Sequence, residues 1–448
     1  MDFHPNFARP MKPFFSKKVT PTEAHLLKKN LLSIGQNFEY FAILETGLEN
    51  VNEKGYDFIA GVGAKTTFNL NNQNIEVVDD FLSNFYNEWK FVELNYNLFN
   101  SIYPNIKSRH KQLFDFNLLT IFIPETVVTL KNDELTIHGN YSLIQSAVEL
   151  NNNVHFIDKN KESNFLTQYV NFSDYQIQFK KIQDYLHRGD IYEVNYCIPF
   201  IIKTDTLDLI DIYLKQKSIS PAPLSTFFKI KNNYLLCASP ERFIKKTGQQ
   251  ISCYPMKGTI KKSGDTKQNE RLKSQLYQSE KERAENVMIV DLTRNDLSKV
   301  AIKGSVKVKE LFGVYEFPQV FQMISTIEAQ LKENITFSDI IKALFPMGSM
   351  TGAPKLSAIK IIDEVECFSR ELFSGSVGYI DPQGDFDFNV VIRSILYNSD
   401  KNEAMIAAGG AITVQSIAID EYNECLLKAN ANLQLLGINQ TEINLYNP

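Results

Sequence analysis

Short apolar runs that arrive in groups, without a helical stretch between consecutive members, constrain this chain most. Residues 225–230 and 234–238 form one such group, and residues 376–380, 388–397 and 403–412 form another. The runs are rich in β-branched and aromatic residues and are bounded by Gly, Asn and Asp, which is the signature of strands. A doubly wound parallel sheet needs strict strand-helix alternation, so grouped strands point to an α+β fold. Helical periodicity is confined to residues 175–187, 279–290, 338–345, 355–365 and 421–436. Gly189-Asp190 supplies the turn from the first of these into a strand over 191–200. Residues 1–160 alternate short strand-like runs, such as 38–44 and 118–123, with Asn- and Lys-rich turns. They are expected to form a mostly β N-terminal subdomain, integrated with a core over 165–440.

With 448 residues and 44% hydrophobic content the chain can bury a large core, as one unit or as two to three domains. Its net charge of -5 is spread over interspersed charges of both signs. No basic stripe suits nucleic acid, and no polybasic segment suits an anionic membrane. The first 18 residues are broken by Pro5, Pro10 and Pro13 and have no apolar centre. No later stretch reaches the roughly 18 apolar residues of a membrane span. Neither secretion nor membrane insertion is expected. The five cysteines, Cys197, Cys237, Cys253, Cys367 and Cys425, form no Cys-x-x-Cys pair and have no histidine near them in sequence, which excludes a zinc signature. They read as small buried hydrophobes in a reducing, cytoplasmic setting.

No histidine follows His187, so chemistry in the C-terminal portion must be run by Lys, Glu, Asp, Tyr, Ser, Thr or Cys. Four polar clusters stand out there. Ser239-Pro240-Glu241-Arg242-Phe243 leads towards Tyr254-Pro255-Met256-Lys257-Gly258-Thr259, and Glu241 and Lys257 are expected on neighbouring strands. Each taken alone is also an ordinary solvated residue. Glu282 and Glu285 share one helical face ahead of Asp291-Leu292-Thr293-Arg294-Asn295-Asp296-Leu297. That density of charge is either a buried polar network or a helix end capped by Asp and Asn. Gly348-Ser349-Met350-Thr351-Gly352-Ala353-Pro354-Lys355 is a loop that delivers Pro354 to the first turn of a helix. Its free amides would favour an anion, but its spacing is not that of a nucleotide-binding loop. Finally, Arg393 on a strand over 390–395 joins Gly409-Gly410 and a last helix bearing Glu424 and Lys428. A diglycine after a strand lets backbone approach a ligand closely.

In order along residues 174–436, these pieces resemble the chorismate-utilising enzymes. The matching segments are Gly189-Asp190-Ile191-Tyr192-Glu193-Val194-Asn195, Ser220-Pro221-Ala222-Pro223, Ser239 to Phe243, Pro255 to Thr259, Glu285 to Asp296, Gly352 to Lys355, Val377-Gly378-Tyr379, Ile392-Arg393-Ser394, Ala408-Gly409-Gly410 and Glu421-Tyr422-Asn423-Glu424. The resemblance implies two packed, mainly antiparallel sheets flanked by helices, with the catalytic core over 165–440. Lysine at 257 resembles the aminodeoxychorismate synthase branch, where anthranilate synthases carry alanine. Isochorismate and salicylate synthases place a base lysine in the strand over 191–197, and Glu193 stands there instead. By the same resemblance Glu285 and Glu424 hold Mg²⁺, with Thr259 and Ser349 at the ring carboxylate. Arg393, Tyr379, Lys428 and the amides of Gly409 and Gly410 take the enolpyruvyl carboxylate, and Gly258 belongs to the same binding motif. Lys257 acts as nucleophile, with its pKa lowered by burial and nearby cations, and Glu241 acts as a general acid held protonated. Ammonia comes from a separate glutamine amidotransferase subunit, since the chain has no glutaminase motif of its own. Two departures stand out: Gln322 replaces a common histidine and Leu427 a common asparagine. Leu44-Glu45-Thr46-Gly47 matches the family's amino-acid pocket only loosely, so tryptophan feedback is not expected.

Overall fold

The computed structural model describes residues 14–46, 55–149, 164–205 and 207–438. Pro5, Pro10 and Pro13, Gly47 and the 160–165 boundary therefore fall wholly or partly outside the described residues. Two large antiparallel sheets pack face to face. The first has 12 strands. It runs from Phe15–Lys18 at one edge through Tyr40–Thr46, Leu224–Ile230, Asn233–Ser239, Ser394–Asn398, Glu403–Ile412 and Glu193–Lys203 to the short Gly352–Ala353. The second has 10 strands, with Met256–Lys261 at one edge, then Val320–Gln330, Gln250–Cys253, Arg242–Thr247, Phe386–Asn389 and Ser376–Ile380. Strands from residues 15–139 enter both sheets: Phe58–Val62 and Thr126–Lys131 the first, Lys90–Leu94 and Leu119–Ile123 the second.

The alternation of side chains along each strand divides the core into two layers. Phe91, Phe122, Phe228, Leu235, Val377, Phe388 and Met405 fill the space between the sheets. Phe41, Ile43, Phe227, Leu236, Ile198 and Ile395 face the other way, where Leu27, Ile182, Tyr422, Leu426 and Leu433 of the flanking helices cover them. These helices begin and end where their sequence allows. Asn171 caps Phe172–Arg188 by accepting from the Asp174 amide, and Gly189 ends it at φ 77°. Thr336 and Asp339 form a reciprocal capping box on Phe337–Leu344. Among the described residues no helix is long and apolar enough to cross a membrane.

Three local expectations are corrected. The helix that begins at Glu280 does not end near residue 290 but continues to Val300. Asp291, Thr293, Arg294 and Asp296 are therefore interior helical residues, and Asp296 belongs to a buried polar network rather than to a cap. It pairs with Lys355 at 2.5 Å, both side chains being almost fully buried. The run over 388–397 is not one strand. Phe386–Asn389 belongs to the second sheet and Ser394–Asn398 to the first, so the chain crosses between sheets at residues 390–393. Arg393 is thus not on a strand: it sits at the crossing with φ 50°, a left-handed backbone that ends one ladder before the next begins. Pro354 caps the helix Lys355–Val365 from outside its first turn, while Gly352–Ala353 pairs with Glu193 and Val194.

Candidate active site

The edge strand Met256–Lys261 aims the lysine. Its register against Val320–Gln330 slips between Met256 and Thr259, and Gly258 takes φ 86° within the slip. Such a bulge turns one side chain out of the regular alternation. The left-handed backbone favours glycine there, and a Cβ would also come within 2.9 Å of the Glu282 carboxylate, which would have to shift. Lys257 reaches away from its own sheet to Glu193 on the first, with Nζ 2.7 Å from Oε1. Its side chain is 12% exposed and Glu193 is 0% exposed.

Glu241 precedes Arg242–Thr247, and that strand is separated from Met256–Lys261 by two others, so the expected neighbouring-strand placement is not observed. The two residues act on one another by charge across the cluster instead. Burial pushes the Glu241 carboxyl up to about 7, against the opposing pulls of the Ser349 hydroxyl and the Lys257 charge. Ser349 Oγ donates to Glu241 Oε1 at 2.7 Å. A carboxyl held near neutrality is suited to giving a proton. A cavity of about 360 Å³ lies against Glu241 and Ser349, lined also by Tyr254, Thr293 and Met347.

Lys257 departs from its expectation. Burial alone would lower its pKa, but the carboxylates of Glu193, Glu285 and Glu241 outweigh burial and raise it. The surrounding charges are anionic, not cationic, so the lysine rests as an ammonium.

Two helices bring further carboxylates. Burial pushes Glu285 up to about 7, opposed by Lys257 and reinforced by Glu193 and Glu282. Glu424 is lowered: burial works against the charge, but Lys428 at 2.7 Å more than offsets it. Lys281 stands 4.0 Å from Glu285 and also acts on Glu421 and Glu424, a cation shared by both helices. Among the described residues no group of three or more His, Cys, Asp and Glu forms a ready-made cation cage. Oxygen donors from two carboxylates nevertheless fit a hard ion such as Mg²⁺, which ordinarily keeps waters and substrate oxygens as its other ligands.

Gly409 and Gly410 lie on Glu403–Ile412, paired with Cys197 and Tyr196. A Cβ on Gly409 would sit 2.4 Å from the Tyr196 carbonyl oxygen, so glycine lets these strands close. The Gly409 carbonyl accepts from Lys428 Nζ at 2.8 Å. A Cβ on Gly410 would come 2.9 Å from Glu421 and 3.9 Å from Glu424, so Gly410 lines the carboxylate side of the cluster. Arg393 is joined to the segment carrying Glu241, since its carbonyl accepts from the Ala238 amide. Desolvation lowers the pKa of its guanidinium. Among the described residues it forms no ion pair within 4 Å, which leaves a poorly hydrated cation ready for an anion.

Thr259 lies on the exposed edge of its strand opposite Gln322, which is buried. Tyr379 is not brought to the cluster. Its ring packs against Tyr56 and Trp89, with centroids 5.9 and 6.1 Å away. It lines a second cavity of about 350 Å³ with Glu45, Thr46 and Asp387. Strand alternation explains this: Tyr379 and Val377 face that cavity together.

Sequence reasoning missed the direct partnership of Glu193 with Lys257 and the shared position of Lys281. A signal for the first was present, because Glu193 is the one acidic residue of a strand, Glu193–Lys203, that is otherwise apolar or neutral until its last lysine. It also missed the clasp beneath the site. Arg370 donates to Glu366, to the Met350 carbonyl at 2.6 Å and to the Asn195 carbonyl at 2.7 Å, while Glu366 accepts from the Cys197 amide. Asn195 in turn donates to the Ser349 carbonyl at 3.0 Å.

Comparisons with known proteins match this architecture. Residues 56–434 match the family model described as chorismate binding enzyme. The chain is 41% identical over 262 residues to Escherichia coli (strain K12) aminodeoxychorismate synthase component 1, covering 58% of this chain and 57% of that protein. It is 42% identical over 277 residues to Arabidopsis thaliana chloroplastic aminodeoxychorismate synthase, covering 61% and 29%. It is 34% identical over 272 residues to an anthranilate synthase component I-like protein of Synechocystis, covering 60% and 56%. The matched region thus spans little more than half the length of the bacterial relatives. Among solved structures, anthranilate synthase component I from Streptococcus pneumoniae superposes with a TM-score of 0.73 at 20% identity, covering 86% of this chain and 93% of that one. The menaquinone-specific isochorismate synthase of Escherichia coli gives 0.73 at 16% identity, covering 95% of each chain. The two-sheet fold is therefore that of these enzymes, and with the family model matching most of its length, the chain belongs to the chorismate binding enzymes.

Proposed function

We propose that this protein is an aminodeoxychorismate synthase component, converting chorismate and ammonia to 4-amino-4-deoxychorismate on the route to 4-aminobenzoate and folate. The observation that carries the reading is a primary amine, Lys257, nearly buried and 2.7 Å from Glu193, on the same cluster as a carboxyl held near neutrality at Glu241. The bacterial and plant relatives with the higher identities above are also named aminodeoxychorismate synthases.

Chorismate is a dianion whose C4 hydroxyl is a poor leaving group. The guanidinium of Arg393, which forms no ion pair among the described residues, and the ammonium of Lys428 supply positive charge for the enolpyruvyl carboxylate, with the backbone at Gly409 and Gly410. Glu285 and Glu424 would hold Mg²⁺, which when bound neutralises the ring carboxylate and draws electron density from the diene. Ser349 orients Glu241 so that its proton goes to the C4 oxygen as Lys257 bonds to C2. Water leaves, and the ring stays attached to the lysine. Ammonia then bonds to C4 and the C2 to lysine bond breaks, which returns the double bonds to their starting pattern. Thr259 and Gly258 border the nucleophile, while Tyr379, in the second cavity, takes no part. Ammonia would be delivered by a separate glutamine amidotransferase subunit. A reducing cytoplasm suits the free cysteines, four of which are buried.

The test is to incubate the protein with chorismate, Mg²⁺ and ammonium and identify the product by mass and fluorescence. The expected product is 4-amino-4-deoxychorismate. Release of anthranilate with pyruvate would reject the reading in favour of an anthranilate synthase.

A further inference from the structure

We propose that Glu193 is the proton acceptor that converts Lys257 from a stored ammonium into the attacking amine, and the donor that restores it. The inference rests on the reading that Lys257 bonds to the ring. Glu193 opens the strand Glu193–Lys203, locked on one side to Ala353, while Val194 is paired with Ile412 on the other. Its Oε1 accepts from Lys257 Nζ at 2.7 Å. Its Oε2 is buried and has no hydrogen-bond partner among the described residues.

That half-used carboxylate is unlike two buried carboxylates that clasp cations, Glu366 and Glu45. Both oxygens of Glu366 are occupied, by Arg370 and the Cys197 amide. Both oxygens of Glu45 are occupied too, by Tyr213, Lys217 and Lys28. The bare buried oxygen gives Glu193 a place to receive a proton without breaking a hydrogen bond that the fold uses.

Lys257 needs such an acceptor. The groups facing it are Glu193 from the first sheet, Glu241 ahead of the second, Glu285 from one helix and Glu424 from the last, with Lys281 and Lys428 beyond the two helical carboxylates. Together the carboxylates keep a proton on the amine, and an ammonium has no lone pair with which to attack. Among the described residues only Glu193 forms an ion pair with Lys257. Glu241 cannot serve, because it must hold its own proton for the C4 oxygen.

The protons balance. Glu193 takes one from the Lys257 ammonium, and the neutral amine bonds to C2 as Glu241 gives its proton to the departing hydroxyl, which leaves as water. The adduct is a secondary ammonium. Ammonia bonds to C4, the C2 to nitrogen pair returns to Lys257 as a neutral amine, and the new C4 ammonium loses a proton to Glu241. Glu193 then returns its proton to Lys257.

The test follows adduct formation in the intact chain with chorismate and Mg²⁺ and without ammonium, quenched with acid and read by intact-protein mass. Glu193→Gln keeps the shape and the hydrogen bond but cannot take the proton. It is expected to slow adduct formation by about 10²-fold, within the usual range for proton-transfer catalysis, with KM for chorismate nearly unchanged. Glu193→Asp should recover part of the rate, and added formate should speed Glu193→Ala. Thermal melting of each variant checks that it is folded. A Glu193→Gln rate within about threefold of the wild type overturns the proposal, since that exceeds what a lost proton acceptor permits. So does a folded Glu193→Ala that formate leaves unchanged. If the wild type forms no adduct, the covalent reading falls and this inference with it; adduct in the wild type with an equally fast Glu193→Gln sinks this inference alone.

Discussion

The cavity beside Tyr379 and the cluster around Lys257 both bury carboxylates, but Glu45 in the first is held down at about 2, whereas Glu241 and Glu285 in the second are pushed up to about 7. Burial opposes the charged form in every case. In the first cavity Lys217 and Lys28 overwhelm it, and Asp387 is matched by the buried Arg242 at 2.8 Å. In the second, Lys257 is shared among several acids and the Arg393 guanidinium has no ion-pair partner among the described residues. The first region thus completes its charges internally, and the second leaves them for something that arrives. The presence of a cavity alone would not separate the two, since one of similar volume also lies against Glu241 and Ser349 at the border of the second region.

The contrast is most sharply tested at the nucleophile. Lys257→Ala should abolish the ring adduct and lower C4 amination by about 10⁴-fold or more, as loss of a covalent nucleophile does elsewhere; mass detection of adduct and product checks both. Full C4 amination by this variant would break the covalent mechanism. Next comes the acid. Glu241→Gln should cost roughly 10² to 10⁴ in rate. Because the protonated form is the active one and the group titrates at about 7, wild-type kcat should fall as pH rises through that value. The pH profile of Glu241→Gln should lack that limb.

Glu45→Gln probes the other region, where the effect should fall on stability and spare the chemistry. The folded-state value lies below the ordinary 4.5, so the stabilisation is present above that pH and is lost as pH falls towards 2. Its loss should cost roughly 3 kcal/mol at neutral pH, within the range for breaking a buried pair, read by urea denaturation. A variant with unchanged stability but impaired amination would reverse the comparison. The smallest effect is expected at the half-exposed Glu424–Lys428 pair. Lys428→Met should change stability by less than about 1 kcal/mol, as for other exposed ion pairs, while raising KM for chorismate.

Much of this was legible beforehand because strands and helices advertise themselves by period. The helices at Lys355–Val365 and Ala418–Leu435 lie close to where periodicity placed them. Lys257, Glu241, Glu285 and Glu424 stood out as charges in apolar surroundings. What stayed hidden depends on contacts distant in sequence. No local pattern announces that the run ending at Asn389 leaves one sheet and resumes in the other at Ser394. The face on which Tyr379 points follows from its pairing with Phe91, which is set by strands nearly three hundred residues away. The sign of the Lys257 shift required knowing that its neighbour is Glu193, 64 positions earlier.

The Arg370 clasp has a consequence for how this protein fails. One guanidinium grips the strand that carries Glu193, the loop that carries Ser349 and the helix end at Glu366, so the partner of the nucleophile and the partner of the acid are fastened to a common rivet. Neither can wander without pulling the other. Heat or denaturant should therefore extinguish turnover and compactness at one midpoint, with no window in which a well-packed molecule has lost its working parts.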